Sequence, residues 1–116
     1  MTPDPAPLPR ILNPRLLARL HLQWRECALC GSTASRSLHH VHRHPRDDVR
    51  PNLVMLCGHG TTGCHGDVEA RDREALESLG ILVVGERREF VGYLEAKLGG
   101  TQAREWILVN LYAHVA

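Results

Sequence analysis

The chain is organised around residues 27 to 69, CALCGSTASRSLHHVHRHPRDDVRPNLVMLCGHGTTGCHGDVE. This stretch contains all four cysteines and six of the eight histidines of the 116-residue chain. Two cysteine pairs flank a His-His doublet and an Asn-Leu-Val-Met-Leu run. Such a density of thiols and imidazoles is typical of a metal-binding unit, and we expect it to decide the fold.

The length and composition favour one small domain that needs a supplement to its hydrophobic core. A chain of 116 residues with two Trp, two Tyr and one Phe must build its core mainly from aliphatic side chains. Residues 1 to 26 carry several prolines and no continuous apolar run of the signal-peptide kind, and no run approaches transmembrane length. The sequence therefore predicts a cytoplasmic protein with reduced thiols and no membrane contact.

The charge is unevenly distributed along the chain. Residues 1–51 carry eight Arg against four acidic residues, whereas residues 52–116 carry six basic residues against nine acidic ones. Thirteen of the fourteen basic residues are Arg, whose planar guanidinium suits phosphate oxygens. A GC-rich coding bias explains the same preference, and the sequence leaves both explanations open.

Hydrophobic periodicity and turn residues divide the chain into three parts. We expect an extended Pro-rich arm over 1–12, a metal-stabilised core over 13–80, and a C-terminal strand and helices over 81–116 that pack on the core. Within these parts the predicted elements are a helix over 14–25, strands over 36–42 and 52–57, a helix over 64–80, a strand over 81–84, and helices over 86–98 and 101–115.

The four cysteines predict a structural zinc site. Cys27 and Cys30 have the spacing of a zinc knuckle, and Cys57 and Cys64 are separated by six residues that include three glycines. Four thiolates are the ligand set of a closed zinc site. His59 could replace one cysteine, and free buried thiols are the alternative to metal binding. The spacing excludes a Cys2His2 finger and a zinc nucleobase deaminase.

Four short motifs follow one another between residues 27 and 65: Cys27-x-x-Cys30, Leu38-His39-His40-Val41, Asn52-Leu53-Val54-x-Leu56-Cys57 and Cys64-His65. Together they resemble the HNH endonuclease family, and the sequence of residues 56–66 is similar to that of a phage-encoded subset of the family. The resemblance covers about residues 24–80. It implies an α+β fold in which a small ββα-metal nuclease core with a structural zinc site is flanked by an N-terminal helix and C-terminal helices.

The resemblance also implies roles for five residues of the core. His39 and His65 would bind a catalytic divalent metal ion, and His40 would be the general base. Asn52 would tie the loop between the strands and orient the base. Glu69, where the family most often has His, would be the third metal ligand, since it lies four residues after His65 on one helix face. Mg, Mn, Ni or Zn could occupy this site.

The flanking residues are less specific. His42 and His44 could contact phosphate, but solvated loop positions are the preferred interpretation. Asp47 and Asp48 are interpreted as loop-forming residues and not as ligands. Four arginines are candidate phosphate contacts, which position nucleic acid without reading its sequence: Arg36, Arg43, Arg46 and Arg50.

The function implied by the resemblance is metal-dependent hydrolysis of DNA that leaves a 5′-phosphate and a 3′-hydroxyl. Similarity to the phage subset implies genome processing or packaging in the bacterial host cytoplasm, with terminase and portal proteins as partners. We expect a monomer or a weak homodimer. The alternative is a non-catalytic zinc module that binds nucleic acid or protein, with a degenerate HNH site.

Overall fold

The structure is a computed structural model that describes residues 9–111. Most of the predicted arm over 1–12 and the end of the helix predicted to reach residue 115 lie outside the described residues. Residues 9–111 form five α-helices and a two-stranded antiparallel sheet, so the expected α+β class is confirmed.

The first helix, α1 (Pro14–Gln23), begins where the sequence predicts it. The side chain of Asn13 accepts a hydrogen bond from the Leu16 amide at 3.1 Å, and Pro14 occupies the first turn, where its missing N–H is not needed. Leu20 faces the core and is fully buried. The helix ends two residues earlier than predicted, because Trp24 has an extended backbone.

The sheet is a hairpin of β1 (Arg36–His40) and β2 (Leu53–Cys57). Leu38 pairs with Met55 and His40 pairs with Leu53. β1 is shorter than the predicted strand because the chain turns away after His40. Asn52, predicted as the first strand residue, instead ends a single 3-10 turn, Arg50–Asn52.

The helix predicted over 64–80 is divided into α2 (Gly63–Glu69) and α3 (Arg73–Gly80). Arg71 adopts a left-handed backbone with φ of 59°, which ends the first helix. Asp72 then caps the second helix by accepting a hydrogen bond from the Ala75 amide at 3.0 Å. The break lets α2 pack on β2 while α3 turns towards the C-terminal helices.

The strand predicted over 81–84 is wrong. Residues Ile81–Glu86 form a wide π-helical turn that continues directly from α3, since Gly80 and Ile81 both have right-handed helical backbones. This turn buries Val83 in the core. A short apolar run does not by itself distinguish a strand from a buried helical segment, and here helical continuity decided.

The C-terminal part is a pair of helices, α4 (Glu89–Leu98) and α5 (Gly100–Leu111), that pack on each other. α5 also packs on α3, and α4 packs on the 3-10 turn before β2 and on the π-helical turn after α3. Phe90, Leu94 and Ile107 are fully buried where the two helices meet the rest of the core. Of the helices between residues 9 and 111, none has the length and apolar character needed to cross a bilayer.

We expect Phe90→Ala to lower the free energy of unfolding by about 3–5 kcal/mol, because it removes a fully buried ring and leaves a cavity. Val109→Ala, on the outer face of α5 where the side chain is 65% exposed, should change it by less than about 0.5 kcal/mol. Guanidinium unfolding of the two variants gives the comparison. Equal losses would show that α4 is not part of the core.

Candidate metal centres

The four cysteines lie together although they come from three separate parts of the chain. Cys27 and Cys30 belong to the turn after α1, Cys57 ends β2, and Cys64 is in the first turn of α2. All four Sγ atoms lie within 4.8 Å of one another. The Sγ atoms of Cys30 and Cys57 are 3.6 Å apart, close to the roughly 3.8 Å that tetrahedral Zn–S bonds impose.

Two glycines make this convergence possible. Gly58 and Gly63 flank the loop between Cys57 and Cys64, and both have positive φ, of 77° and 61°. A Cβ atom on Gly63 would lie 2.6 Å from the Cys57 carbonyl oxygen, and one on Gly58 would lie 2.2 Å from the Thr62 carbonyl oxygen. Only glycine therefore allows the loop to return Cys64 to Cys57. His59, the candidate replacement ligand, is exposed in this loop and is not part of the cluster.

The protonation of the thiols fits a metal cluster. Burial alone would raise the pKa of Cys27, but hydrogen bonds from the backbone amides of Cys30, Cys57 and Leu29 lower it to about 7. Burial and the three neighbouring thiols raise the pKa of Cys64. A thiolate at Cys27 is thus favoured, and its negative charge opposes the loss of a proton from Cys64. A divalent cation would remove this repulsion, so the donor set fits zinc.

A second cluster consists of His39, His65 and Glu69, whose ligand atoms also lie within 4.8 Å of one another. His39 comes from β1, while His65 and Glu69 lie one turn apart on α2. Glu69 Oε1 is 3.3 Å from both His39 Nδ1 and His65 Nε2. The two imidazole rings meet edge to face with centroids 5.2 Å apart.

The tautomer of His65 is held by a serine two residues before His39. Ser37 Oγ donates to the Gly58 carbonyl at 2.8 Å and lies 2.5 Å from His65 Nδ1. Because the single hydroxyl proton is directed at Gly58, Ser37 accepts from His65 Nδ1–H. His65 Nε2 then presents its lone pair to the cluster, as a metal-binding imidazole requires.

Both histidines of this cluster are held in the neutral form. Burial, with smaller effects from His65 and Arg43, lowers the pKa of His39 to about 3. Burial and Arg43 also lower the pKa of His65. Within residues 9–111, His39 Nδ1 is buried and forms no hydrogen bond, although Glu69 Oε1 lies 3.3 Å away. Neutral rings, an unsatisfied buried nitrogen and a carboxylate together form a donor set that fits a divalent cation.

His40 follows His39 but contacts a different partner. His40 Nε2 is 2.8 Å from Asp48 Oδ1, and the His40 ring lines the same cavity as His39, His65 and Glu69. Burial alone would raise the pKa of Asp48, but hydrogen bonds from the Asn13 amide and from His40 lower it, so the carboxylate is ionised. Asp48 is therefore a buried acceptor for His40 as well as a loop residue.

Asn52 is fully buried and joins the two ends of the loop between the strands. Its Oδ1 accepts from the His42 amide at 2.8 Å, and its Nδ2 donates to the carbonyl oxygens of His42 and Asp47. Asp47 is also fully buried, and it accepts from Tyr93 Oη at 2.6 Å and from Lys97 Nζ at 2.9 Å. The loop is thus connected to α4 directly beside Asp48.

Among residues 9–111, the side chains of three of the four candidate phosphate-binding arginines have protein partners. Arg43 forms an ion pair with Glu69 inside the histidine cluster. Arg36 donates to the carbonyl oxygens of Trp24 and His21, and Arg50 lies over the Trp24 ring with its guanidinium carbon 5.2 Å from the centroid. Arg46 is exposed at the cavity that contains the cluster.

The preferred interpretation of His42 as a solvated residue is wrong. Its side chain is only 3% exposed and packs edge to face on Trp106, with ring centroids 5.2 Å apart. Burial lowers its pKa, so it is a neutral core residue. His44 is exposed, as that interpretation requires.

Sequence reasoning missed the residues that orient the histidines. Ser37 gives no signal in the sequence, since a serine in a strand has many roles. The sequence indicates Asp48 only as a loop-forming residue, because its contact with His40 of β1, eight positions away, is visible only in the folded hairpin. Comparison with protein-family models, curated proteins and solved structures gave no match.

We expect the purified protein to retain about one zinc ion per chain after dialysis, bound by the four thiols. Cys27→Ser and Cys64→Ser should lose it, and chelation should lower the free energy of unfolding on the order of 10 kcal/mol. Elemental analysis and thermal unfolding measure both. His59→Ala, an exposed loop variant, is the control and should keep its zinc. A metal-free yet fully stable wild type would contradict four-thiolate binding.

Proposed function

We propose that the protein is a metal-dependent HNH-type endonuclease that hydrolyses DNA phosphodiester bonds. One observation carries this proposal: a donor set of His39, His65 and Glu69 lies beside a separate histidine, His40, in one open cavity of about 290 Å³. A cluster of two imidazoles and one carboxylate leaves coordination positions for water and substrate, unlike the four thiols.

The chemistry of the site suits phosphodiester hydrolysis. The reaction needs a water molecule made nucleophilic and a positive centre for the charge that develops on phosphate. A divalent cation, when bound, supplies that centre and polarises the phosphate. His40 would take the proton from the attacking water, because a neutral imidazole is a suitable general base near neutral pH. His39 contacts Glu69 and His40 contacts Asp48. The two histidines would therefore have separate roles, His39 as a metal ligand and His40 as the base.

The elements around the cavity also support an HNH-type site. The resemblance implies two antiparallel strands followed by a helix, and β1, β2 and α2 have that order. The first strand carries His39 and His40, and the helix carries His65 and Glu69. Asn52 joins the loop between the strands, which is the role that the resemblance implies for it.

Binding of DNA would depend on few cations. Arg46 is exposed at the cavity, and Arg43 lines it while paired with Glu69. With a formal net charge of only +1, the chain attracts polyanions weakly. A partner that holds DNA is consistent with this weak charge, and the similarity to phage-encoded proteins makes terminase and portal the partners that we propose for genome processing.

A second function is favoured by one contact, the ion pair between Arg43 and Glu69. If this pair persists when metal is offered, Glu69 is not a ligand. The protein would then be a non-catalytic zinc module that binds nucleic acid or protein. Metal-dependent cleavage distinguishes the two functions.

We expect the zinc-loaded protein to nick supercoiled plasmid with Mg²⁺, Mn²⁺ or Ni²⁺, and EDTA to abolish the activity. His40→Ala should reduce the rate by about 10²–10⁴-fold, the usual contribution of a general base. His65→Ala should reduce it at least as far while the cysteines keep their zinc. The measurement is the initial rate of plasmid relaxation on gels.

The matched control is His21→Ala, an exposed histidine on α1 whose ring contacts neither cluster. It should cleave at the wild-type rate. No nicking with any of the metals, or His40→Ala and His65→Ala as active as His21→Ala, would contradict the nuclease and favour the non-catalytic module.

A further inference from the structure

Asp47 and Asp48 are adjacent buried aspartates that share one kind of contact and differ in their contact with His40. Both carboxylates are buried, and both hold the backbone that precedes α1: Asp47 accepts from the Ile11 amide at 2.7 Å and Asp48 from the Asn13 amide at 2.9 Å. Only Asp48 contacts His40. The two residues thus share this structural task. Asp48 in addition contacts His40, whereas Asp47 in addition contacts Tyr93 and Lys97 on α4.

The contact between Asp48 and His40 fixes which nitrogen of the His40 ring carries no proton. A neutral imidazole carries its proton on one nitrogen and a lone pair on the other. An ionised carboxylate can only accept, so a neutral His40 with Nε2 at 2.8 Å from Asp48 Oδ1 must carry its proton on Nε2. The lone pair is then on Nδ1.

We propose that Asp48 is a positioning residue that holds His40 as the Nε2–H tautomer, so that Nδ1 faces the cavity as the proton acceptor. The inference rests on the proposed function, because it assigns a task to the base of that reaction. The proposal also gives α4 a role. Tyr93 and Lys97 on α4 hold Asp47, the neighbour of Asp48, and so fix the segment that orients the base.

Asp48→Asn tests this assignment with little change of shape. The amide oxygen can still accept from Asn13, and the amide nitrogen then donates towards His40 Nε2. That ring must now carry its proton on Nδ1 and cannot accept one there. An aspartate-to-asparagine change that enforces the wrong histidine tautomer is known to reduce catalysis by about 10⁴-fold in a serine protease.

Two measurements on the zinc-loaded protein with Mg²⁺ test the proposal. Long-range ¹H–¹⁵N correlation spectra should show His40 with its proton on Nε2 in the wild type and on Nδ1 in Asp48→Asn. The kcat for plasmid nicking should fall on the order of 10²–10⁴-fold in Asp48→Asn with little change in KM. Asp47→Asn is the comparison variant, because Asp47 helps to hold the same segment but does not contact His40. It should keep the wild-type tautomer, and its loss of kcat should be much smaller than that of Asp48→Asn.

The outcomes separate this inference from the proposed function. A wild-type His40 protonated on Nδ1, or an Asp48→Asn kcat equal to that of Asp47→Asn, would overturn the positioning role even if the protein cuts DNA. Both spectra as expected but no cleavage by the wild type would overturn the nuclease and uphold the tautomer assignment. The wild-type spectrum alone decides the tautomer if Asp48→Asn fails to fold.

Discussion

The close approach of the start of α2 to the end of β2 is the constraint on which both candidate centres depend. The Cys64 amide donates to Cys57 Sγ at 3.3 Å, and Gly63 leaves room for the Cys57 carbonyl only because it has no side chain. Cys64 and His65 are consecutive, so the turn that brings Cys64 to the other thiols also sets His65 beside His39. A metal ion held by the thiols would therefore stabilise the histidine cluster as well.

A second constraint comes from the loop between the strands. Asn52 joins both ends of that loop, Asp47 connects it to α4, and Asp48 connects it to His40 and to the residue before α1. Buried carboxylates need such partners, because an unpaired charge is strongly destabilising away from water. The N-terminal segment, the hairpin and α4 thus meet at two adjacent aspartates.

Much of the architecture can be predicted from local spacing in the sequence. The pair Cys27 and Cys30, the glycines between Cys57 and Cys64, and the i, i+4 pair His65 and Glu69 are patterns whose geometry is set by a turn, a loop or one helix face. The hairpin and α1 also followed from periodicity. These features depend on contacts between residues that are close in the chain.

The features that sequence reasoning missed depend on distant contacts. The ion pair of Arg43 with Glu69 spans 26 positions and that of Lys97 with Asp47 spans 50, and no spacing rule relates them. The burial of His42 against Trp106 required the position of α5. The run over 81–84 has the composition of a strand, but it continues α3 because Gly80 and Ile81 are helical. Tertiary contacts decided the first three cases, and helical continuity with α3 decided the last.

We infer that the four thiols form a closed metal centre and that His39, His65 and Glu69 form an open one. This separation into two centres with different tasks is the central claim. Anomalous diffraction from crystals of the zinc-loaded protein soaked in Mn²⁺, recorded at the zinc and manganese edges, tests it most directly. We expect a zinc peak among the four Sγ atoms and a manganese peak that contacts His39, His65 and Glu69, with Arg43 displaced from the carboxylate. Manganese absent from that cluster, or the thiols without zinc, would contradict the claim.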